Sequence, residues 1–564
     1  MNVDHLRISL VNGATVSEMK NSYIFIASLL LPLAAWTAPS QPEFQLNGNV
    51  IQAHADFLAS DLLEGRAAGS RGYDLAAAYV AAQFRQYGLK PVSGSGYMQR
   101  VPLVEATVVL PGSSMIFKKD AATETFEYGT DYLPEANFFT SPVSITAPLA
   151  FAGYGITAPE LHYDDLADVD LQGRIAVILD GAPQRFHAAQ RDYYAWRDTK
   201  YANLIRHGAI AVIEVMKDDV GVDSRSDAGE SPWEHAVSMS WISDMRRVNA
   251  DDDPVDPFTD LKIKMRLNPQ SAARLFVNGH SWEEVMSAAM AGTLQGFALP
   301  GSMTLKTTTG LRRTESSNVV GVIAGSDPEL RREYVMVTAH LDHLGRGAAV
   351  NGDNIYNGMQ HNAVGVAMML ELARMLAALP QKPRRSIVFV ASTAGDRTAQ
   401  GIQHFLKTGP VSVNNIVAAI NIDMPLPLLQ TSDVIGIGTD QSSLGSTVSN
   451  VLQQMNLRLS NPDAGDGSLT RAGLAAFVQA GVPVVELRSG NHARSSRIDM
   501  RDLKRDYMQN HFDQPSDDAS NAAPDIEAAR DLDTVIARVL VTVANDVTRP
   551  VWYRSSVIHS KLRH

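Results

Sequence analysis

From residue 315 onward the chain alternates short apolar runs with amphipathic stretches, and this alternation restricts the fold more than any other feature. The runs at 318–323, 334–338, 386–390, 417–422 and 482–487 are strand-length and almost continuously apolar. Such runs suit strands buried on both faces, whereas a half-exposed strand would alternate with polar residues. Between the second and third runs, Val366, Met369, Leu370, Ala373 and Leu376 recur at three- and four-residue steps, on one face of a helix. The pattern predicts an α/β fold, with a mostly parallel, helix-covered sheet. Ligands of such sheets bind beyond the carboxyl ends of the strands, where loops converge. The residues placed there are His340, Asp342 and His343 after the second run, Gly395 and Asp396 after the third, and Asp423 after the fourth. His361 and Asn362 stand where the helix begins.

The 564 residues contain no cysteine, which removes disulfides, thiol nucleophiles, thiolate zinc sites and iron–sulfur clusters together. Any metal must therefore be held by His, Asp and Glu, and the strand-end residues are of those types. Any one of them alone reads as a helix cap or a satisfied loop residue; several converging describe an oxygen- and nitrogen-ligand metal site. With 49 Lys and Arg against 61 Asp and Glu, the net charge of −12 argues against nucleic acid as a partner.

The chain is long enough for three or four structural units. Residues 1–38 are an N-terminal extension and secretory signal, with the start at Met19: Met19-Lys20 precedes an apolar stretch of twelve from Ile24, followed by small residues. That stretch is far short of the roughly 20 residues that span a bilayer, so the mature chain is expected without a transmembrane helix, secreted or periplasmic. Residues 39–135 and 305–549 read as two parts of one main domain, and 136–304, with Val/Ile-rich runs, as a β-rich insert. Residues 550–564 read as a basic tail. Arg494, Arg497, Arg501, Lys504 and Arg505 form a basic cluster, read as a solvated face, or else as a carboxylate-binding patch near the site.

Several segments together resemble the dinuclear zinc aminopeptidases, a family that includes glutamate carboxypeptidase and the transferrin receptor ectodomain. They are Val337-Thr-Ala-His-Leu-Asp-His-Leu-Gly345, Gly352-Asp-Asn-Ile-Tyr-Asn-Gly358, Arg384-Arg-Ser-Ile-Val-Phe-Val390 and Ile420-Asn-Ile-Asp-Met424. Asp61-Leu-Leu-Glu-Gly-Arg66, Gln479-Ala-Gly-Val-Pro483 and Gln514-Pro-Ser-Asp517 agree in order. Phe151-Ala-Gly-Tyr-Gly155 and Asp170-Leu-Gln-Gly-Arg174 resemble the family's protease-associated insert.

The resemblance implies five metal-ligand positions, a general base and zinc as cofactor. His340 and Asp423 match ligand positions in kind, and Asp342 stands where a carboxylate orients the first histidine. His361 occupies the position of a bridging aspartate, and Asp513 that of a histidine ligand. The glutamate base aligns with Gly395, and the glutamate ligand after it with Asp396. A carboxylate can bridge cations about 3.5–4 Å apart, and an imidazole cannot. A base contributes about 10²–10⁴-fold, and glycine has no side chain to supply it. The first reading is a pseudopeptidase that binds a peptide, a cation or a protein partner. The alternative is an active zinc aminopeptidase with His340, His361, Asp396, Asp423 and Asp513 as a rearranged site. On the first reading, restoring Glu at 395, Asp at 361 and His at 513 together should restore activity.

Overall fold

The computed structural model describes residues 44–91, 96–217, 231–276, 280–462, 469–494 and 499–557. The 1–38 segment, Arg497, Lys561 and Arg563 lie outside the described residues. The described chain is built around two sheets. The first has nine strands in the order Asp244–Arg247, Met98–Val108, Thr309–Ile323, Ser386–Ser392, Tyr334–His340, Ile416–Asn421, Val484–Ser489, Asp433–Ile437 and Arg458–Ser460. Its four central strands, from 386–392 to 484–489, run parallel, as does the edge pair 433–437 with 458–460; the other pairings are antiparallel.

Both faces of this sheet's central part are covered, which is why the strands 334–340, 386–392 and 416–421 are almost wholly buried and largely apolar. Val335, Val337, Ala339, Ile387 and Phe389 pack toward helices Gly48–Leu58, Arg71–Gln86, Val364–Ala378 and Ile526–Asn545. The alternate residues Met336, Val388 and Val390 pack toward Gln400–Thr408 and Ala472–Gln479, following the two-residue period of a strand. Helix 364–378 is buried nearly all round rather than on one face. Among the described residues, no helix is long and apolar enough to cross a membrane.

The second sheet has eight strands: Ala122–Phe126, Ser114–Lys119, Phe297–Thr307, Val143–Phe151, Ile175–Leu179, Ala211–Val215, Ile263–Leu267 and Tyr132–Pro134. Hydrogen-bond pairing thus divides the chain differently from the boundaries at 135/136 and 304/305 expected from composition. Strands between 114 and 134 join the second sheet, while 244–247, from within the 136–304 span, pairs with Met98–Val108 in the first. These are short, half-exposed strands whose membership is decided by a distant partner and leaves no apolar run in the sequence.

Candidate metal centre

Three parallel strands end side by side and deliver the polar cluster. His340 is the last residue of its strand, pairing with Ser392 of the neighbour. Asp396 follows the 386–392 strand by one turn, and Asp423 follows 416–421. His361 comes from the turn that opens helix 364–378, and that turn is held from below. The Asp517 carboxylate accepts the N–H of Gln360 at 2.9 Å and of His361 at 3.2 Å, and its carbonyl accepts that of Met359. Asn362 donates to the Ile422 carbonyl at 2.8 Å and accepts the Met424 N–H at 3.2 Å, tying the His361 turn to the strand end that bears Asp423. Beneath these, the buried Arg66 guanidinium donates to the carbonyls of Leu341, Asn357, Gly358 and Leu58. Gly65 beside it has φ +70, and a Cβ there would lie 2.5 Å from the carbonyl oxygens of Gly345 and Tyr356.

All five ligand positions implied by the resemblance come together. His340 Nε2 lies 3.3 Å from Asp423 Oδ1, and His361 Nε2 lies 3.3 Å from Asp396 Oδ1 and 3.9 Å from Asp423 Oδ1. His361 Nδ1 lies 3.1 Å from Asp513 Oδ1. Burial alone would lower the His340 pKa, but Asp423, Asp396 and Asp342 outweigh it and raise it to about 10. Against the same burial, Asp396 and Asp513 raise that of His361. Conversely, burial pushes the Asp396 and Asp423 carboxyls upward, yet the neighbouring histidines hold both well below the usual range.

Two sequence expectations are corrected. The Asp342 carboxylate does not face His340: it accepts the Gly395 N–H at 2.9 and 3.1 Å, and its main-chain carbonyl meets His340 Nδ1 at 2.9 Å. The imidazole is therefore oriented by backbone, while the side chain pins the 395–396 turn. Secondly, Gly395 is more than a missing side chain. A Cβ built there would lie 2.4 Å from the His340 Cβ and 3.1 Å from Ser392 Oγ. The turn has settled onto His340, so the position of the base is filled by neighbours, and restoring Glu at 395 requires the turn to move.

Sequence reasoning named His343 only as a strand-end residue. Its side chain is completely buried, with Nδ1 3.4 Å from Asp396 Oδ2. In the sequence, only its spacing in His340-Leu-Asp-His343 sets it beside the other strand-end residues. Phe512, also unremarked in the sequence, stacks on the His361 ring with centroids 5.2 Å apart, and His235 stacks on Phe512 at 6.3 Å. The basic cluster stays local: Arg494 pairs with Asp531, Arg505 with Asp502, and Lys504 donates to Ser489 and Asn491. None of its described members lines the cavity above the site. That cavity, of about 510 Å³, has His361, Asp396, Asp423 and Asp513 in its lining together with Arg397, Arg471 and Phe512 from the first sheet's side. Glu135, Asp180 and Arg266 face it from the second sheet.

The donors fit one divalent cation of zinc's kind. His340, His361 and Asp396 each offer an atom within 4.8 Å of the others, and imidazole with carboxylate is a donor set zinc accepts. Asp396 Oδ2 is buried without a hydrogen-bond partner, as expected of an atom awaiting a further ligand. The residues do not fit a pair of cations bridged by one carboxylate, since His361 stands at that place.

Comparison with known proteins accords with this geometry. Residues 318–539 match the profile described as Peptidase family M28. Transferrin receptor protein 1 of Gallus gallus is 28% identical over 178 residues, 30% of this chain and 21% of the receptor, so the match spans about a fifth of that protein. The solved structure of an aminopeptidase from Aneurinibacillus sp. strain AM-1 superposes with a TM-score of 0.51 at 16% identity, covering 88% of this chain and 93% of that one. A zinc aminopeptidase from Bacillus subtilis gives a TM-score of 0.42 at 16% identity, covering 89% and 98%. The fold is thus aminopeptidase-like, while these identities leave the chemistry to the residues themselves.

Proposed function

We propose that this chain is a peptidase-family protein that binds a divalent cation and a peptide or protein ligand in its cleft without efficient hydrolysis. His340, His361 and Asp396, with Asp423 beside them, would hold the cation, zinc by its donor set. When bound, such a cation polarises a carbonyl and lowers the pKa of water. The observation that carries the reading is the closed turn at Gly395, which leaves no room for a base where the family pattern has one. The carboxylates nearest Gly395 have other places: Asp396, Asp423 and Asp513 lie 3.1–3.3 Å from a histidine, in the set that would hold a cation, and Asp342 accepts the Gly395 N–H. The mixed walls of the cleft, with Arg266, Arg397 and Arg471 facing carboxylates, suit a zwitterionic ligand such as a peptide. Export to a periplasm or the outside is part of the same reading, supported by the basic start and apolar stretch of 19–38.

The test is metal content after mild dialysis together with turnover of aminoacyl chromogenic substrates. Zinc uptake near one equivalent or above, without turnover that a chelator abolishes, is expected. Chelator-sensitive turnover with stoichiometric zinc contradicts the reading and favours the rearranged active aminopeptidase.

A further inference from the structure

We propose that His343 is a metal ligand, forming with His361 Nδ1 and Asp513 a second cation position joined to the first through the His361 ring. This rests on the reading that the cleft floor holds a divalent cation, and it adds a residue that the family pattern does not place among the ligands. The His343 side chain is completely buried, yet neither ring nitrogen has a hydrogen-bond partner. Its contact with Asp396 Oδ2, at 3.4 Å, is too long to serve as one. A buried imidazole left this way is costly unless another partner arrives. One atom each of His343, His361 and Asp513 lie within 4.8 Å of one another, the convergence that an ion requires.

The His361 ring connects the two positions. Its Nε2 faces Asp396 and Asp423, and its Nδ1 faces Asp513 at 3.1 Å, so one ring presents a nitrogen to each donor group; with both nitrogens ligating, the ring releases its N–H proton to solvent and joins the positions as imidazolate. Asp396 divides in the same way, with Oδ1 toward His361 and Oδ2 toward His343. Histidine at 361 therefore moves the two cation positions apart, instead of leaving one of them without ligands. The exchange of histidine for aspartate at 513 fits this, because His343 returns a nitrogen donor to that side, and nitrogen donors are what zinc and cobalt take readily. A cavity of about 280 Å³, lined by Trp241, Asp342, His343 and Arg346, reaches this side and gives the ion a way in.

Co²⁺ titration of the chelator-stripped full chain, followed by visible absorption and metal analysis, tests the assignment. Two Co²⁺ per chain are expected for the native protein and one each for His343→Asn and Asp513→Asn, with unchanged far-ultraviolet circular dichroism. Two independent variants guard against one that fails to fold. Saturation at two in both variants overturns the proposal. Saturation of the native protein at a single Co²⁺, kept in His343→Asn and lost in His340→Asn, also overturns it while leaving the proposed function standing. No binding at all overturns both.

Discussion

At the scale of single residues, position 395 separates binding from chemistry. Its backbone N–H is spent on Asp342, and its Cα packs against His340. Gly395→Ala should therefore cost on the order of 1–3 kcal/mol by overpacking, read as a lowered urea midpoint; a neutral effect would mean that the turn yields freely. Gly395→Glu, even combined with His361→Asp and Asp513→His, should not restore turnover, contrary to what the sequence alone suggests. A second residue, remote from the cleft, makes stability depend on pH. His54 lies buried between the hydroxyls of Tyr79 at 2.7 Å and Tyr87 at 3.0 Å, and burial, with the Arg374 charge, lowers its pKa to about 4. Below pH 6.5 the unfolded chain takes up a proton that the folded imidazole refuses until about pH 4. The unfolded state then binds more protons, so stability falls as pH drops through this window, by at most about 3 kcal/mol. His54→Gln should flatten that part of a Tm-against-pH curve; an unchanged slope would remove His54 as its source.

At the scale of elements, the site is an agreement between strand ends and one helical turn, and Arg66 enforces it. Its guanidinium binds the carbonyls of Leu341, Asn357 and Gly358, joining the segment after strand 334–340 to the turn before His361. Arg66→Met takes the donor from the Leu341 and Asn357 carbonyls, while Gly358 keeps the Ala363 N–H at 3.0 Å; it should cost at least about 3 kcal/mol, measured by denaturant unfolding, and a loss under about 1 kcal/mol would show that water replaces the side chain. Five main-sheet strands and the 364–378 helix were legible in the sequence, as continuous apolar runs of strand length and as apolar steps of three and four residues, whereas 98–108, 244–247, 433–437 and 458–460 were not. His340, His361, Asp396, Asp423 and Asp513 were each tied to a strand end or a motif in the sequence, and the fold brings these side chains together. In the second sheet the Val/Ile-rich runs at 175–179 and 211–215 were legible, but the strands between 114 and 134 were not, since their partners lie far along the chain. The Asp342 side chain, the closure at Gly395 and the burial of His343 were not legible either, because backbone packing decides where those groups point.

At the scale of the whole molecule, two sheets share a cleft whose walls carry charge of both signs and whose floor carries the histidine–aspartate group. The second sheet contributes Glu135, Asp180 and Arg266 to the cleft lining, whereas the candidate metal donors all come from the first sheet's side. On the proposed function, the protein has what recognition needs and lacks the proton acceptor that turnover needs. The most direct measurement is kcat/KM of the zinc-loaded chain on an aminoacyl chromogenic substrate, beside the same chain carrying His340→Ala. The account predicts that both stay at the background rate, with no response to chelator. A rate in the native chain at least about 10²-fold above the variant, the scale of a working general base, and abolished by chelator would contradict it.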